Sequence, residues 1–307
     1  MWHNPEAKSA VIKLMGGTVP ERIEEVNALW QKYSPEVWLL PAAKGITLNA
    51  NKDRIAYDDK LIDVFWLICF SGWKAIECYI PHVVASVAFG GMVADWIESD
   101  IDLYVVESAY KARRAIAQDL IDSANPSAVR WPPDIPRVTA NREAYIDPQY
   151  RSTFDLTLMS LAFAFFHEFQ HVMLERDGKR PADLREEELL CDVLARDFIT
   201  AKLEAYAKAN GHDYHQVLRK RAMALGLTAL VLHEITPSWS HGGSEQYFSL
   251  ATRMQAILQS TPLSPDDPFW CFTAALLVGI FRQRHSPIDA PSMTAKELTE
   301  YLIIRLE

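Results

Sequence analysis

The chain has 307 residues, of which 49% are hydrophobic, and a formal net charge of −9 from 31 Lys and Arg against 40 Asp and Glu. This composition predicts a globular protein with a substantial core, built as one large domain or two small ones. The acidic balance argues against nucleic acid or an anionic membrane as the main partner.

Three features of the sequence bear on where the protein works. Its four cysteines show no C-x-x-C spacing, which is typical of reduced thiols in a chain of this size. Met1–Glu6 lacks the charged-then-apolar order of a signal peptide. The longest apolar runs, Val83–Ala94 and Phe269–Phe281, are about a dozen residues long and shorter than a membrane span. We therefore expect a cytoplasmic protein without a membrane span.

The N-terminal part of the chain combines helical patterns with the one convincing β segment. Glu21–Tyr33 has the pattern of a short amphipathic helix. Strand patterns follow at Val37–Leu40, Gly45–Leu48 and Arg54–Tyr57, with a turn at 49–53. Three further helices are predicted, at Asp58–Tyr79, Val83–Glu98 and Ile101–Ser123. The expected fold class is mainly α with a small β-ribbon near the N-terminal half.

A proline-rich stretch separates the two halves of the chain. Pro126–Pro148 contains five prolines, which predicts a loop or an extended strap. We expect an N-terminal helical region with the ribbon at 1–125, a connecting loop at 126–148 and a catalytic helical region at 149–307. The two regions are expected to form one compact unit.

The strongest chemical signal in the chain lies just after this loop. His167–His171 reads H-E-x-x-H inside an almost unbroken apolar run, which predicts a buried helix. Residues four apart lie on one face of a helix, so His167 and His171 can hold one zinc ion at roughly 2.0–2.1 Å. Glu168 then lies beside the metal and is not a ligand.

A second helix is predicted to pack against the first. The metal helix should begin near Ser152 or Thr153 and end near Asp177. Asp183 is the predicted N-cap of the next helix, with Glu186 in the capping-box position. The two helices are therefore expected to form an antiparallel hairpin.

Counting residues from the hairpin turn selects two further side chains. At about 1.5 Å rise per residue, Glu188 is level with His171, and Asp192 is level with His167. We predict Glu188 as the third metal ligand and Asp192 as the acceptor for the outward nitrogen of His167. These residues could instead have ordinary structural roles. Acids in the first turn of a helix often only offset its dipole, and histidines in apolar helices often only hydrogen-bond to carbonyl groups. However, burying two histidines and a glutamate without a cation is costly, which favours the metal site.

These residues resemble a known family. Ser160–Leu174 and Glu186–Ala195 are similar to metallopeptidases with H-E-x-x-H followed by E-x-x-x-D, and more closely to the phage-exclusion peptidases typified by Lit. A shorter similarity is Trp131–Pro136, and the resemblance covers about a third of the chain. It implies a gluzincin-like, zinc-dependent endopeptidase of the bacterial cytoplasm, linked to defence against phage. Its partner would be a protein substrate, which for the namesake is a translation elongation factor.

The roles follow from zinc-peptidase chemistry. Zn²⁺ held by His167, His171 and Glu188 would activate a water, and Glu168 would carry its proton to the leaving amine. Two other classes remain open: a catalytically idle, zinc-fold regulatory protein that sequesters a partner, and a structural helical protein with an accidental motif.

The C-terminal part offers two candidate donors for the oxyanion of the reaction. Helices are predicted at Tyr214–Ile235, from near Ser244, at Phe269–Arg284 and at Thr294–Leu306. Related metallopeptidases carry a His six positions before an Arg. Here Arg253 fits the Arg, but Tyr247 occupies the His position. Tyr247 on the expected helix is preferred to His241 in the Gly-flanked loop, because a rigid element places its donor in advance.

The ribbon also has two possible roles. It could hold an extended substrate at its exposed edge, or it could cap the core.

Overall fold

A computed structural model describes residues 4–139, 141–259 and 261–306, which form twelve α-helices and one three-stranded sheet. The helices are α1 (Pro5–Thr18), α2 (Ile23–Tyr33), α3 (Leu61–Phe89), α4 (Val93–Glu98), α5 (Leu103–Asp122), α6 (Pro148–Arg176), α7 (Leu184–Thr200), α8 (Leu203–Asn210), α9 (Tyr214–Ile235), α10 (Leu250–Leu258), α11 (Pro268–Gln283) and α12 (Ala295–Ile304). The strands are β1 (Glu36–Leu40), β2 (Leu48–Asn51) and β3 (Arg54–Asp58). The prediction of a mainly helical fold with a small β element is confirmed.

The sheet has the order β1-β3-β2, with β1 parallel and β2 antiparallel to β3. The predicted position of the second strand, Gly45–Leu48, is wrong: the strand begins at Leu48 and runs to Asn51. The side chain of Asn51 accepts hydrogen bonds from the backbone N–H groups of Asp53 and Arg54, at 3.0 and 3.1 Å. These bonds tighten the turn to two residues, so the strand extends right up to it.

The third helix is longer than the sequence pattern indicates. Pro81 suggests a break after Tyr79, but α3 continues through it to Phe89. Buried side chains on both sides of Pro81, including Tyr79 and Val83, keep the helix packed despite the lost backbone bond. The break comes instead at Gly90 and Gly91, whose φ angles of 82° and 87° favour glycine.

Several helix ends are set by caps. The helix that carries the H-E-x-x-H motif begins at Pro148, earlier than predicted, because Asp147 accepts a hydrogen bond from the Gln149 N–H at 2.8 Å. Asp183 caps α7 as predicted, but through the Arg185 N–H and without the expected capping box to Glu186. Two helices, α1 and α8, are not predicted from the sequence.

Helix α6 lies at the centre of the packing. It contacts α1, α3, α7, α9 and the strand β2. Its aromatic side chains pack against residues that precede and follow it in the chain. The ring centroids of Phe169 and Trp30 are 4.8 Å apart, and those of the stacked rings of Phe166 and Phe198 are 4.6 Å apart. This packing fixes the positions of the motif helix and of the facing α7. None of the helices in the described ranges combines the length and apolar character needed to cross a membrane.

Candidate metal centre

Two facing helices bring the predicted ligands together. His167 and His171 lie one turn apart on α6, and their Nε2 atoms are 3.3 Å apart. Glu188 on α7 places Oε2 3.3 Å from His167 Nε2 and Oε1 3.4 Å from His171 Nε2. The carboxylate therefore straddles the two imidazole nitrogens.

These spacings fit a bound cation. Donor atoms held at about 2.0–2.1 Å at the corners of a tetrahedron lie about 3.3–3.4 Å apart, which is the separation observed between the three side chains. Glu168 is buried beside the cluster and makes none of these contacts. The donor set thus fits a bound metal ion.

The outward nitrogen of His167 is held by a carboxylate and an arginine. His167 Nδ1 lies 2.9 Å from Oδ1 of Asp192, the residue expected to be level with His167 from counting along the two helices. Arg253 on α10 donates to both oxygens of Asp192, at 2.7 and 2.9 Å. A carboxylate in this position favours a proton on Nδ1, so that Nε2 is the nitrogen that faces a metal.

A second relay of the same kind, which the sequence analysis does not identify, supports His171. His171 Nδ1 lies 2.8 Å from Oε1 of Glu187, and Arg180 donates through Nε to the other oxygen. The Glu187 side chain is almost completely buried, whereas Arg180 is half exposed. The sequence signal for Glu187 is the run of three acids at 186–188. Counting residues from the hairpin turn selects only Glu188 from this run.

The charges around the two histidines favour a cation. Burial opposes protonation of His167, but Asp192 and Glu188 raise its pKa to about 10. Burial also opposes ionisation of Glu188, yet both histidines hold the pKa of that carboxyl below its usual range. Burial raises the pKa of Glu168 to about 7, against the opposing effect of the two imidazoles. Positive charge is therefore strongly stabilised between these side chains.

A cysteine also lies close to the histidines. A ring nitrogen of each histidine and the sulfur of Cys191 lie within 4.8 Å of one another, so these three residues form a possible metal site too. Cys191 is fully buried, and both burial and the neighbouring carboxylates raise the pKa of its thiol. Because metals bind the thiolate, Glu188 is the better third donor.

The cluster lies in a cleft of about 580 Å³. One wall is formed by β2, whose residues Leu48, Asn49 and Ala50 line it, and another by the end of α9. The segment from Thr236 to Leu250 closes a third side, with Trp239 largely exposed there. Both histidines therefore face this cleft.

Tyr247 and His241 occupy different places around this cleft. The predicted helix from Ser244 is wrong: α10 starts at Leu250, with Ser249 as its cap, so Tyr247 lies in the preceding loop. Tyr247 lines the cleft, and its ring centroid is 5.7 Å from the Arg253 guanidinium. His241 is buried, donates from Nε2 to the Thr236 carbonyl at 3.0 Å, and is not a surface residue.

The loop that holds Tyr247 is fixed by hydrogen bonds. The Ser244 N–H donates to the Tyr247 carbonyl at 2.9 Å, and the Leu250 N–H donates to the His241 carbonyl at 2.8 Å. Gly243 has a φ of 96° and lies too close to the Ser249 backbone for a side chain. Tyr247 is thus placed by a folded loop rather than by a helix.

Two histidines, two carboxylates and two arginines line one open cleft, and two further carboxylates are buried behind the histidines. Such a site is of the kind that hydrolases use. The family model Peptidase U49 matches residues 55–273, and the chain belongs to this peptidase family. No curated protein and no solved structure matched the chain.

Proposed function

We propose that the protein is a zinc-dependent endopeptidase of gluzincin-like type. The observation that carries this proposal is the 3.3–3.4 Å spacing between the Nε2 atoms of His167 and His171 and the carboxylate oxygens of Glu188. Glu168 lines the same open cleft and takes no part in these contacts. Membership of a peptidase family supplies the reaction class. The metal requirement follows from the donor set.

His167, His171 and Glu188 would hold the ion through two imidazole nitrogens and one carboxylate. A zinc ion bound there would lower the pKa of water toward about 7 and polarise a carbonyl. Asp192 and Glu187 lie against the two Nδ1 atoms, and with a metal bound they would hold both imidazoles in the tautomer that presents Nε2 to it. Neutral Nε2 lone pairs are what such an ion binds.

Glu168 is the proton carrier. Its carboxylate accepts a proton from the attacking water and donates that proton to the amide nitrogen as the peptide bond breaks. Burial keeps the side chain out of bulk water and raises the pKa of its carboxyl, which favours a group that can both accept and release a proton. A serine or cysteine nucleophile is not required.

The substrate would lie along β2. In the described sheet β2 pairs with β3 on one side only, so the backbone groups on its other side can pair with an extended peptide. Leu48 and Ala50 already line the cleft. This arrangement favours a role for the ribbon in binding the substrate at its exposed edge over a role in capping the core.

Tyr247 would supply the extra donor for the oxyanion. Its side chain lines the cleft near Glu188 and Arg253, whereas His241 is engaged with a backbone carbonyl. A hydroxyl donates without changing charge, which suits an oxyanion that exists only transiently.

The biological role we propose is defence against phage through cleavage of an intracellular protein, with a translation factor as one candidate. This rests on the resemblance of the α6–α7 segments to the phage-exclusion peptidases.

The test is to map new protein N-termini after expressing the wild type and Glu168→Gln in a bacterial host, together with metal analysis of both purified proteins. We expect one zinc per chain in both and new N-termini only with the wild type. Matching N-terminal profiles, or purified protein that binds no metal, would contradict the proposal.

A further inference from the structure

Several strongly exposed apolar side chains lie at the end of the α3–α5 hairpin, far along the chain from the motif. We call residues 82–105 the hairpin tip. Phe89, Ile101 and Tyr104 are 81%, 89% and 76% exposed. The exposed apolar side chains of the tip are Val84, Phe89, Met92, Ile101, Tyr104 and Val105. Single exposed apolar residues are ordinary, but such a group is typical of an interaction site.

Specific contacts fold the tip into one unit. The Trp96 indole N–H donates to the Gly90 carbonyl at 2.9 Å, and the rings of Phe89 and Trp96 are 6.3 Å apart. His82 Nε2 lies 3.0 Å from Asp100, which ties the start of the tip to its far end. The exposed side chains are therefore presented on an ordered support, which lowers the entropy cost of binding.

The base of the hairpin is also fixed. Glu107 on α5 is buried, accepts a hydrogen bond from the Tyr79 hydroxyl at 2.7 Å and pairs with Arg282 of α11 at 2.9 Å. The tip thus projects from a rigid part of the protein.

The charges of the tip have one sign. Asp95, Glu98 and Asp102 are exposed, and none of their side-chain carboxylates accepts a hydrogen bond from the described residues. The sequence has no lysine or arginine between Lys74 and Lys111. An apolar surface with an acidic border is complementary to an apolar segment that carries basic residues.

We propose that the hairpin tip is a docking surface for a protein partner that presents an apolar segment flanked by lysines or arginines. Aromatic side chains such as Phe89 and Tyr104 supply the large contact areas that dominate binding energies, and their faces also attract Lys and Arg side chains. The acidic border steers and orients the basic partner.

The same charges disfavour other occupants. A second copy of the chain would place acidic borders against each other in a twofold interface. An anionic membrane would be repelled by the same carboxylates.

Two fluorescein-labelled 18-residue helical peptides serve as probes, one of leucine and lysine and the other with glutamate in place of each lysine. Anisotropy titrations use the full chain, Ile101→Ser/Tyr104→Ser, and Asp95→Asn/Glu98→Gln/Asp102→Asn. The matched controls change exposed residues elsewhere: Ile146→Ser/Ile304→Ser and Glu6→Gln/Glu24→Gln/Glu204→Gln. All substituted side chains are exposed, so circular dichroism should show unchanged folding.

We expect the lysine peptide to bind, the glutamate peptide to bind at least about tenfold more weakly, and each tip variant to lose about tenfold or more in affinity for the lysine peptide. Controls should stay within about twofold of the wild type. Equal losses in tip and control variants would overturn the proposal. So would concentration-dependent dimerisation, or binding to phosphatidylserine vesicles, that the Ile101→Ser/Tyr104→Ser variant abolishes.

Discussion

At the scale of residues, each histidine of the candidate centre is held by a carboxylate and each carboxylate by an arginine. The relay of His167, Asp192 and Arg253 is mirrored by a relay through Glu187. Counting along two antiparallel helices predicts Asp192 and Glu188, because counting gives the level of a side chain. It does not identify Glu187, because the rotation of α7 about its axis depends on packing, and a residue one position earlier points about 100° away.

The proton carrier gives the most direct prediction. Glu168→Gln keeps the shape of the side chain but cannot accept a proton, so we expect peptide hydrolysis to fall by about 10²–10⁴-fold with zinc content unchanged. The measurements are single-turnover cleavage of a peptide and metal analysis by mass spectrometry. Cleavage near the wild-type rate would remove Glu168 from the mechanism.

Ligand and supporting carboxylates should differ in how much they matter for metal binding. Glu188→Ala should empty the site, whereas Asp192→Asn and Glu187→Gln should each weaken zinc affinity by about 10–100-fold. Glu186→Gln is the matched control, because this neighbour does not contact either histidine. Chelator competition measures the affinities. If Asp192→Asn emptied the site and Glu188→Ala only weakened it, the assignment of the third ligand would be wrong.

The oxyanion donor can be tested by removing one hydroxyl. Tyr247→Phe should lower kcat by about 10²–10³-fold and leave zinc content unchanged, since the lost hydrogen bond forms in the transition state. His241→Ala should have a much smaller effect on kcat, and Tyr214→Phe, outside the cleft lining, should have none. Near-wild-type rates for both Tyr247→Phe and His241→Ala would exclude the loop before α10 from the reaction.

At the scale of elements, the sequence predicts most helices and misplaces the irregular segments. Tyr214–Ile235 is predicted with its observed ends, because caps and an unbroken apolar pattern agree there. Two predictions are wrong for the same reason, the helix break near Pro81 and the helix from Ser244. In both places tertiary contacts override the local sequence preference. In the second case the loop stays unwound because its backbone bonds to itself and to His241.

Close packing of α3 against α9 and α11 depends on a missing side chain. A Cβ at Gly72 would lie 2.7 Å from a methyl of Leu230 and 3.1 Å from one of Leu227, and both leucines are buried. We expect Gly72→Ala to destabilise the protein by about 1–3 kcal/mol. Gly17→Ala is the control, since its Cβ would meet nothing within 4 Å, and should stabilise by about 0.4–1 kcal/mol. Denaturant unfolding measures both, and equal effects would contradict the packing argument.

At the scale of the whole molecule, the proline-rich loop marks a change in the sequence but not a gap in the packing. Helix α3 precedes the loop, yet it packs against α6, α9 and α11, which all follow it. The loop itself is tied down, because the indole N–H of Trp66 donates to the Pro136 carbonyl at 2.8 Å and Arg113 pairs with Asp134. Composition and loop signals predict a boundary in the chain, but contacts between distant segments cannot be inferred from one sequence.

We therefore propose that the regions before and after the loop form one folding unit, which a cut in the loop should not separate. A specific protease site inserted between Ser127 and Ala128, both exposed, allows the chain to be cut after folding. The continuous apolar core should hold the two fragments together, since separating them would expose large apolar faces of α3 and α6 to water. We expect the cut protein to elute as one species in native size-exclusion chromatography, to keep its metal, and to separate only in denaturant. Two independently eluting fragments, each retaining helical circular dichroism, would show instead that the loop links two separate domains.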